Sequence, residues 1–228
     1  AVICADSAQA MRAADGYDGR LITYSALSPT PGAGADIHYY AAEITHEGSS
    51  SSFSLRRRDG LNDEKLCDVR LRIPGMHNIS DAVAAAAACL ECGANPAAVE
   101  SGLDRFHGAK RRFELRGKTA GGAEVYDDYA HHPTEIKATL DAARTLGKRV
   151  WCVFQPHTYT RTFGLFRELS ESFGNADRVI VTDIYSAGRE ENESGITPEK
   201  LAAAIPGAVC LRRGEDFSEI ADYILKNT

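Results

Sequence analysis

The sequence predicts an α/β chain in two parts: a small antiparallel sheet ending a larger domain, then a Rossmann-like, doubly wound parallel domain. Three observations predict it. Strand, helix and strand follow one another within the first residues, the periodicity turns to twos between residues 36 and 73, and beyond residue 113 short apolar strands alternate with helices.

Residues 2–4 are apolar, residues 7–14 carry helical spacing, and residues 21–24 return to strand composition. At this distance the three read as a parallel unit, which belongs to a larger sheet. No initiator methionine, charged leader or signal pattern opens the chain, so it is expected to be part of a longer protein. A turn-rich connector at 29–34 then leads to three β-rich stretches, 36–45, 51–58 and 65–73, joined by polar turns at 46–49 and 59–62. These predict an antiparallel meander. Arg56, Arg57 and Arg58 read as a solvated edge strand rather than a phosphate patch.

Pro74 and Gly75 break the sheet. A helix is expected over about 78–90, stopped by Gly93, and a second after Asn95, which is a good N-cap followed by Pro96 at the first helical position. Gly108 and the basic Lys110, Arg111 and Arg112 mark the expected domain boundary between residues 109 and 110. Beyond it, strands at 113–116, 124–126, 149–154, 178–182 and 208–211 alternate with helices at 133–146, 162–173, 198–204 and 216–225.

With 228 residues, 43% of them hydrophobic and 25% charged, the composition is that of an ordinary globular protein. A net charge of −6 gives no electrostatic pull toward nucleic acid or an anionic membrane. The Ala-rich run at 82–90 is too short to span a bilayer. The six cysteines, Cys4, Cys67, Cys89, Cys92, Cys152 and Cys210, are scattered, which favours a reducing cytoplasm over a disulfide framework. Cys89 and Cys92 have redox or metal spacing but lie at a predicted helix C-terminus, and no second pair follows, so the structural reading is preferred.

In an open parallel sheet, ligands bind beyond the carboxyl ends of the strands. Three loops of the second part occupy that position: 127–132 (Asp-Asp-Tyr-Ala-His-His), 155–161 (Gln-Pro-His-Thr-Tyr-Thr-Arg) and 183–190 (Asp-Ile-Tyr-Ser-Ala-Gly-Arg-Glu). Polar, aromatic and imidazole groups therefore gather on one rim. Asp128 can accept from ribose hydroxyls, and His131 and Arg161 can bind a carboxylate or phosphate. The bland alternatives are that Asp127 or Asp128 caps local backbone and that His132 satisfies amides at a helix start. Adjacent His131 and His132 would point opposite ways in extended backbone, so no metal ligand is assigned to them. Gly117-Lys118-Thr119 ends like a phosphate-binding P-loop, but Arg112 stands where its first glycine belongs and no helix follows.

The sequence resembles the Mur ligases over essentially its whole length. The residues that carry the resemblance are Gly75-Met76-His77-Asn78; Arg111-Arg112-Phe113; Asp127 to Glu135 (Asp-Asp-Tyr-Ala-His-His-Pro-Thr-Glu); Phe154 to Thr162 (Phe-Gln-Pro-His-Thr-Tyr-Thr-Arg-Thr); and Asp183 to Gly188. The two long motifs are specific in combination, whereas the His-Asn and Arg-Phe elements occur in all Mur ligases. The resemblance implies a three-domain enzyme whose first domain holds a UDP sugar, whose central P-loop-type domain holds ATP, and whose last domain closes over both. Residues 1–109 would be the end of the central domain and residues 110–228 the complete C-terminal domain. The N-terminal domain and the P-loop would lie outside this chain, leaving the piece inactive alone.

The implied reaction uses ATP and Mg²⁺ to activate the carboxylate of UDP-N-acetylmuramate as an acyl phosphate, which the amine of L-alanine attacks, in peptidoglycan precursor synthesis. By position, the resemblance implies that His77, Asn78, Asp81, Arg112 and Asp128 serve ATP, and that Tyr129, His131, His157 and Arg161 line the amino-acid pocket. Most Mg²⁺ ligands would lie in the missing part, and no catalytic residue is assigned within this chain. Two positions depart from the family pattern: many relatives have Asn where Asp81 stands, and many have Arg where Thr158 stands, which leaves Arg161 more of the carboxylate. Alternatives are the recycling ligase that joins a tripeptide to UDP-N-acetylmuramate, and a nucleotide-binding module without catalysis. The segment 155–162 favours the alanine reaction, and an upstream Gly-x-x-Gly-Lys-Thr would decide for an enzyme.

Overall fold

A computed structural model describes residues 1–27 and 37–227. The expected connector at 29–34, and Asp36 at the start of one expected strand, lie outside the described residues. The chain divides into two compact units, Ala1–Asp127 and Asp128–Thr228.

The first unit is built on a five-stranded sheet in the order β1-β2-β3-β4-β5. Strand β1 (Val2–Cys4), helix α1 (Ala8–Ala13) and β2 (Ile22–Ser25) form the expected parallel unit, and Ser7 caps α1 by accepting from the Ala10 amide at 3.2 Å. Strand β3 (Tyr39–Glu47) adds in parallel to β2, then β4 (Ser50–Asp59) and β5 (Asn62–Leu71) turn back in the predicted meander. The arginine run corrects one expectation, because β4 is not an edge strand: β3 and β5 flank it. Register sets Arg57 opposite Glu64 and Arg58 opposite Asp63, and Asp63 takes Arg56 at 2.8 Å and Arg58 at 3.1 Å. Cross-strand carboxylates, rather than solvent alone, therefore hold these charges.

Helix α2 (Met76–Glu91) packs on β1, β2 and β3 through Ile79, Ala82, Val83, Ala86 and Ala87, a spacing that keeps one stripe inward. Alanines let it sit close to the sheet, and it joins Tyr39, Leu55, Val69 and Leu71 in one core. Its N-cap is Gly75 at φ 103°, ψ 140°, backbone that L side chains rarely adopt. Helix α3 (Pro96–Asp104) starts as expected, with Asn95 accepting from the Ala98 amide at 2.8 Å, and packs on β5. The hairpin of β6 (Glu114–Lys118) and β7 (Glu124–Asp127) forms a two-stranded sheet. Lys118 faces Glu124 across it at 3.0 Å, a cross-strand ion pair in place of a phosphate-binding loop.

The second unit holds a three-stranded parallel sheet in the order β10-β9-β8, formed by β8 (Trp151–Phe154), β9 (Arg178–Val181) and β10 (Val209–Cys210). Helix α4 (Pro133–Arg144) precedes it, and α8 (Ser218–Asn227) follows. One helix was expected over 162–173; the chain instead forms α5 (Tyr159–Gly164) and α6 (Phe166–Ser170). Gly164 gives poor helical continuity, and the cap is Thr158, four residues ahead of the expected start. Right-handed crossovers between neighbouring parallel strands put α6 and α7 (Pro198–Ala204) on one face, where they pack together. Phe154, Val179, Val181, Leu169, Phe173 and Leu201 fill that layer. Alternation turns Trp151 to the opposite face, where its ring meets Tyr223 of α8 at 6.3 Å. Helices thus cover both faces. Among the described residues no helix is long and apolar enough to cross a membrane. All six cysteines are free thiols, and Cys89 and Cys92 are exposed at the end of α2.

Candidate functional site

In the second unit, the loops after β8 and β9 meet at one rim, as the strand-end rule requires. The segment before α4 joins them there, although β7, expected in the parallel sheet, pairs antiparallel with β6 outside it. Past the ends of β8 and β9, His157 and Tyr185 continue the parallel pairing as an isolated bridge, with the Tyr185 amide donating to the Pro156 carbonyl at 2.9 Å. Four rings line up there. Tyr129 meets His131 edge-on at 5.2 Å between centroids, His131 meets His157 at 5.5 Å, and His157 meets Tyr185 at 5.5 Å. Arg161, one turn along α5, donates from a guanidinium nitrogen to Nδ1 of His157 at 3.1 Å.

Hydrogen bonding assigns the two imidazoles opposite roles. A guanidinium has no acceptor, so Nδ1 of His157 must hold a lone pair and the neutral ring carries its proton on Nε2. His131 Nδ1 lies 2.9 Å from the Tyr129 carbonyl, which only accepts, so that nitrogen donates and the neutral ring's lone pair is on Nε2. The His157 pKa is lowered, first by burial, then by the positive charge of Arg161 and by His131. Hence His157 is held neutral as an Nε2–H donor, beside a guanidinium, while His131 offers an acceptor. One carboxylate and one ammonium on a small molecule would satisfy this set.

The backbone that presents these groups is tied down. Asp128 Oδ1 accepts from the Ala130 amide at 2.7 Å, closing the turn that carries Tyr129. Glu135 Oε2 accepts from the amides of His131 and His132 at 3.1 and 3.2 Å, and His132 Nδ1 accepts from the Thr134 amide at 3.3 Å. His132 is therefore the helix cap of α4, and the two adjacent histidines face different work. Thr158 has φ 62°, ψ 150°, a region nearly confined to glycine and costing roughly 1–3 kcal/mol. Strain of that size at the residue between His157 and α5 is the sign of a constrained site.

In the first unit, His77 and Asn78 occupy the first turn of α2, and Asp81 lies exposed one turn on. The Asn78 side-chain nitrogen donates to the Pro74 carbonyl at 2.6 Å, which fixes the orientation of its amide plane. Arg112 stands between Arg111 (φ 58°) and Phe113 (φ 49°). Glu114 accepts from the Arg111 amide at 2.9 Å and Phe113 stacks on Tyr126 with centroids 4.4 Å apart, so the loop is pinned on both sides of Arg112. Among the described residues no group of three or more His, Cys, Asp or Glu side chains could hold a metal ion.

Residues 111–227 match the family model for the Mur ligase, glutamate ligase domain. The chain belongs to the Mur ligase family. It is 38% identical to UDP-N-acetylmuramate–L-alanine ligase of Acetivibrio thermocellus over 99% of this chain and 46% of that protein. It is 42% identical to the ligase of the same name from Solibacter usitatus over 90% of this chain and 41% of that protein. This Mur ligase chain thus spans about half the length of the curated relatives it matches. In fold it is similar to the crystal structure of UDP-N-acetylmuramate-alanine ligase from Thermotoga maritima, with TM-score 0.64 and 22% identity over 84% of this chain and 39% of that one.

Sequence reasoning on this Mur ligase did not single out Tyr185, Thr160 or Glu190. Tyr185 and Glu190 lie in the third rim loop, so the strand-end rule held the signal. What joins Thr160 to Glu190 is a tertiary contact between residues 30 apart, for which the sequence has no local mark.

Proposed function

We propose that this chain is the ATP-side and closing part of a UDP-N-acetylmuramate–L-alanine ligase. In this reading residues 1–109 end the central domain and residues 110–228 are the C-terminal domain. His77, Asn78, Asp81, Arg112 and Asp128 serve ATP, while Tyr129, His131, His157 and Arg161 receive L-alanine. The observation that carries the reading is the paired polarity of the rim: a neutral His157 and Arg161 donate on one side, and His131 accepts close by. The ends of a zwitterionic amino acid need those two characters.

The chemistry follows from that division. ATP converts the muramate carboxylate to an acyl phosphate, and the alanine nitrogen attacks the acyl carbon as phosphate leaves. Ammonium is not nucleophilic, so a proton must first depart, and His131 Nε2 is the group suited to take it. Arg161 offers the paired donors that match a carboxylate. In this reading ATP is bound in the cytoplasm together with Mg²⁺, most of whose ligands would come from the rest of the enzyme.

The test is made in the complete enzyme. Phosphate release from ATP should require UDP-N-acetylmuramate and L-alanine together. Release with a muramyl tripeptide's free peptide in place of L-alanine, and none with alanine, would replace this reading by the recycling reaction.

A further inference from the structure

The loop after β9 grips the start of α5 at two points. At the first, the Thr158 amide donates to the Tyr185 carbonyl at 3.1 Å. At the second, Glu190 accepts from the Thr160 hydroxyl at 2.5 Å and from the Thr160 amide at 3.1 Å. The carboxylate's pKa is lowered by these bonds, the hydroxyl first, so it stays charged against the helix start. A helix as short as α5 (Tyr159–Gly164) does not hold its own first turn in water. That turn, moreover, follows the Gly-like backbone of Thr158 and bears Arg161, whose guanidinium must reach His157. Thr158 closes the turn from within, its hydroxyl accepting from the Arg161 amide at 3.5 Å and its carbonyl from the Thr162 hydroxyl at 2.7 Å, but neither contact ties the turn to the loop after β9.

We propose that Glu190 is the positioning residue of this rim, fastening the first turn of α5 to the loop after β9 so that Arg161 stays on His157. The geometry claim stands by itself, while its consequence for amino-acid binding rests on the function proposed above. Glu190 acts through Thr160 on the helix, and through the helix on the donor pair.

Opposing signs make the claim testable in this chain. The groups acting on His157 are Arg161, His131 and Arg189, which disfavour its charged form, and Glu190, which favours it; the Tyr185 ring packs beside it. Removing the carboxylate's charge alone must lower the His157 midpoint, whereas losing Arg161 must raise it, and Arg161 is the larger influence of the two. A pH titration of the histidine ring resonances by NMR reads both. Glu190→Gln, which can still accept from the Thr160 amide and donate to its hydroxyl, should leave the midpoint low or lower it. Glu190→Ala should raise it, and Thr160→Ala, which removes the hydroxyl partner, should move it the same way. A Glu190→Ala midpoint unchanged or lowered, in a variant with native spectral dispersion, overturns the positioning role. In the complete enzyme, Glu190→Ala should raise KM for L-alanine by about tenfold, with KM for ATP within about twofold and Glu190→Gln restoring most of the loss. If the NMR result holds and KM for alanine does not move, the clamp stands and the alanine assignment of the rim fails.

Discussion

The Arg161 guanidinium donates to Nδ1 of His157 at 3.1 Å, and this contact fixes the neutral ring's tautomer, with its proton on Nε2. It places a permanent cation against a ring whose protonation would create a second, so it adds to burial in lowering the His157 pKa. The site's donor face follows from that pairing.

The first prediction concerns acid. The folded His157 pKa lies below its ordinary value, so the folded chain binds fewer protons than the unfolded one between the two values. The His157 contribution to stability is complete above about pH 6.5 and falls away as pH drops through the folded value. Arg161→Gln removes the neighbouring charge and should raise the His157 midpoint, read from ring resonances across pH 4–8. An unmoved midpoint would mean that burial alone depresses it.

Arg161→Lys keeps the charge and loses the planar pair of donors. If Arg161 binds the alanine carboxylate, the loss of a charge-assisted contact is about 1.5–3 kcal/mol, roughly a tenfold to hundredfold fall in kcat/KM for L-alanine. Thr158 has no cation to compensate, which places the expected loss near the upper end. Kinetics at saturating ATP measure it, and a lysine variant with unchanged efficiency removes Arg161 from carboxylate binding.

Asp128 has two separable tasks, since one carboxylate oxygen closes the turn to Ala130 and the other is proposed to meet ribose. Asp128→Asn preserves the turn acceptor and removes the negative charge. It should raise KM for ATP by about threefold to tenfold while KM for L-alanine stays within about twofold, as expected for uniform ground-state and transition-state binding. A rise confined to alanine would reverse the assignment.

In the first unit, Asp63 receives the Tyr40 hydroxyl, Arg56 and Arg58, and its pKa is lowered to about 2, the Tyr40 bond being the largest cause. Because the folded value lies below the ordinary 3.8, its contribution is present above about pH 4 and is lost as pH falls toward 2. Asp63→Asn should flatten the stability–pH curve in that window. Denaturant melts at pH 2, 3, 4 and 6 supply the comparison, and parallel curves for both proteins would show that Asp63 is not the source.

Much of this was legible in the residues themselves. Period-two alternation specified the meander, Pro74-Gly75 and Gly93 bracketed α2, and Asn95-Pro96 specified the start of α3, because local sterics and capping act over a few residues. The rim was also visible, since three polar loops followed predicted strands, two of which, β8 and β9, lie side by side in the parallel sheet. Tertiary structure alone decided the rest. It made β4 an inner strand, so Arg56 to Arg58 meet carboxylates of β5; pairing order is a choice among distant partners that no local pattern records. It divided His131 from His132, one ring turned to the His157 ring and the other capping α4. It brought Glu190 to Thr160 and Arg161 to His157, contacts whose geometry exists only once β8 and β9 lie side by side. The sequence by itself determined which groups stand on the rim loops, because loop chemistry is local; which of them meet, and how they aim, was decided by packing, because charge and hydrogen bonding depend on distance in space.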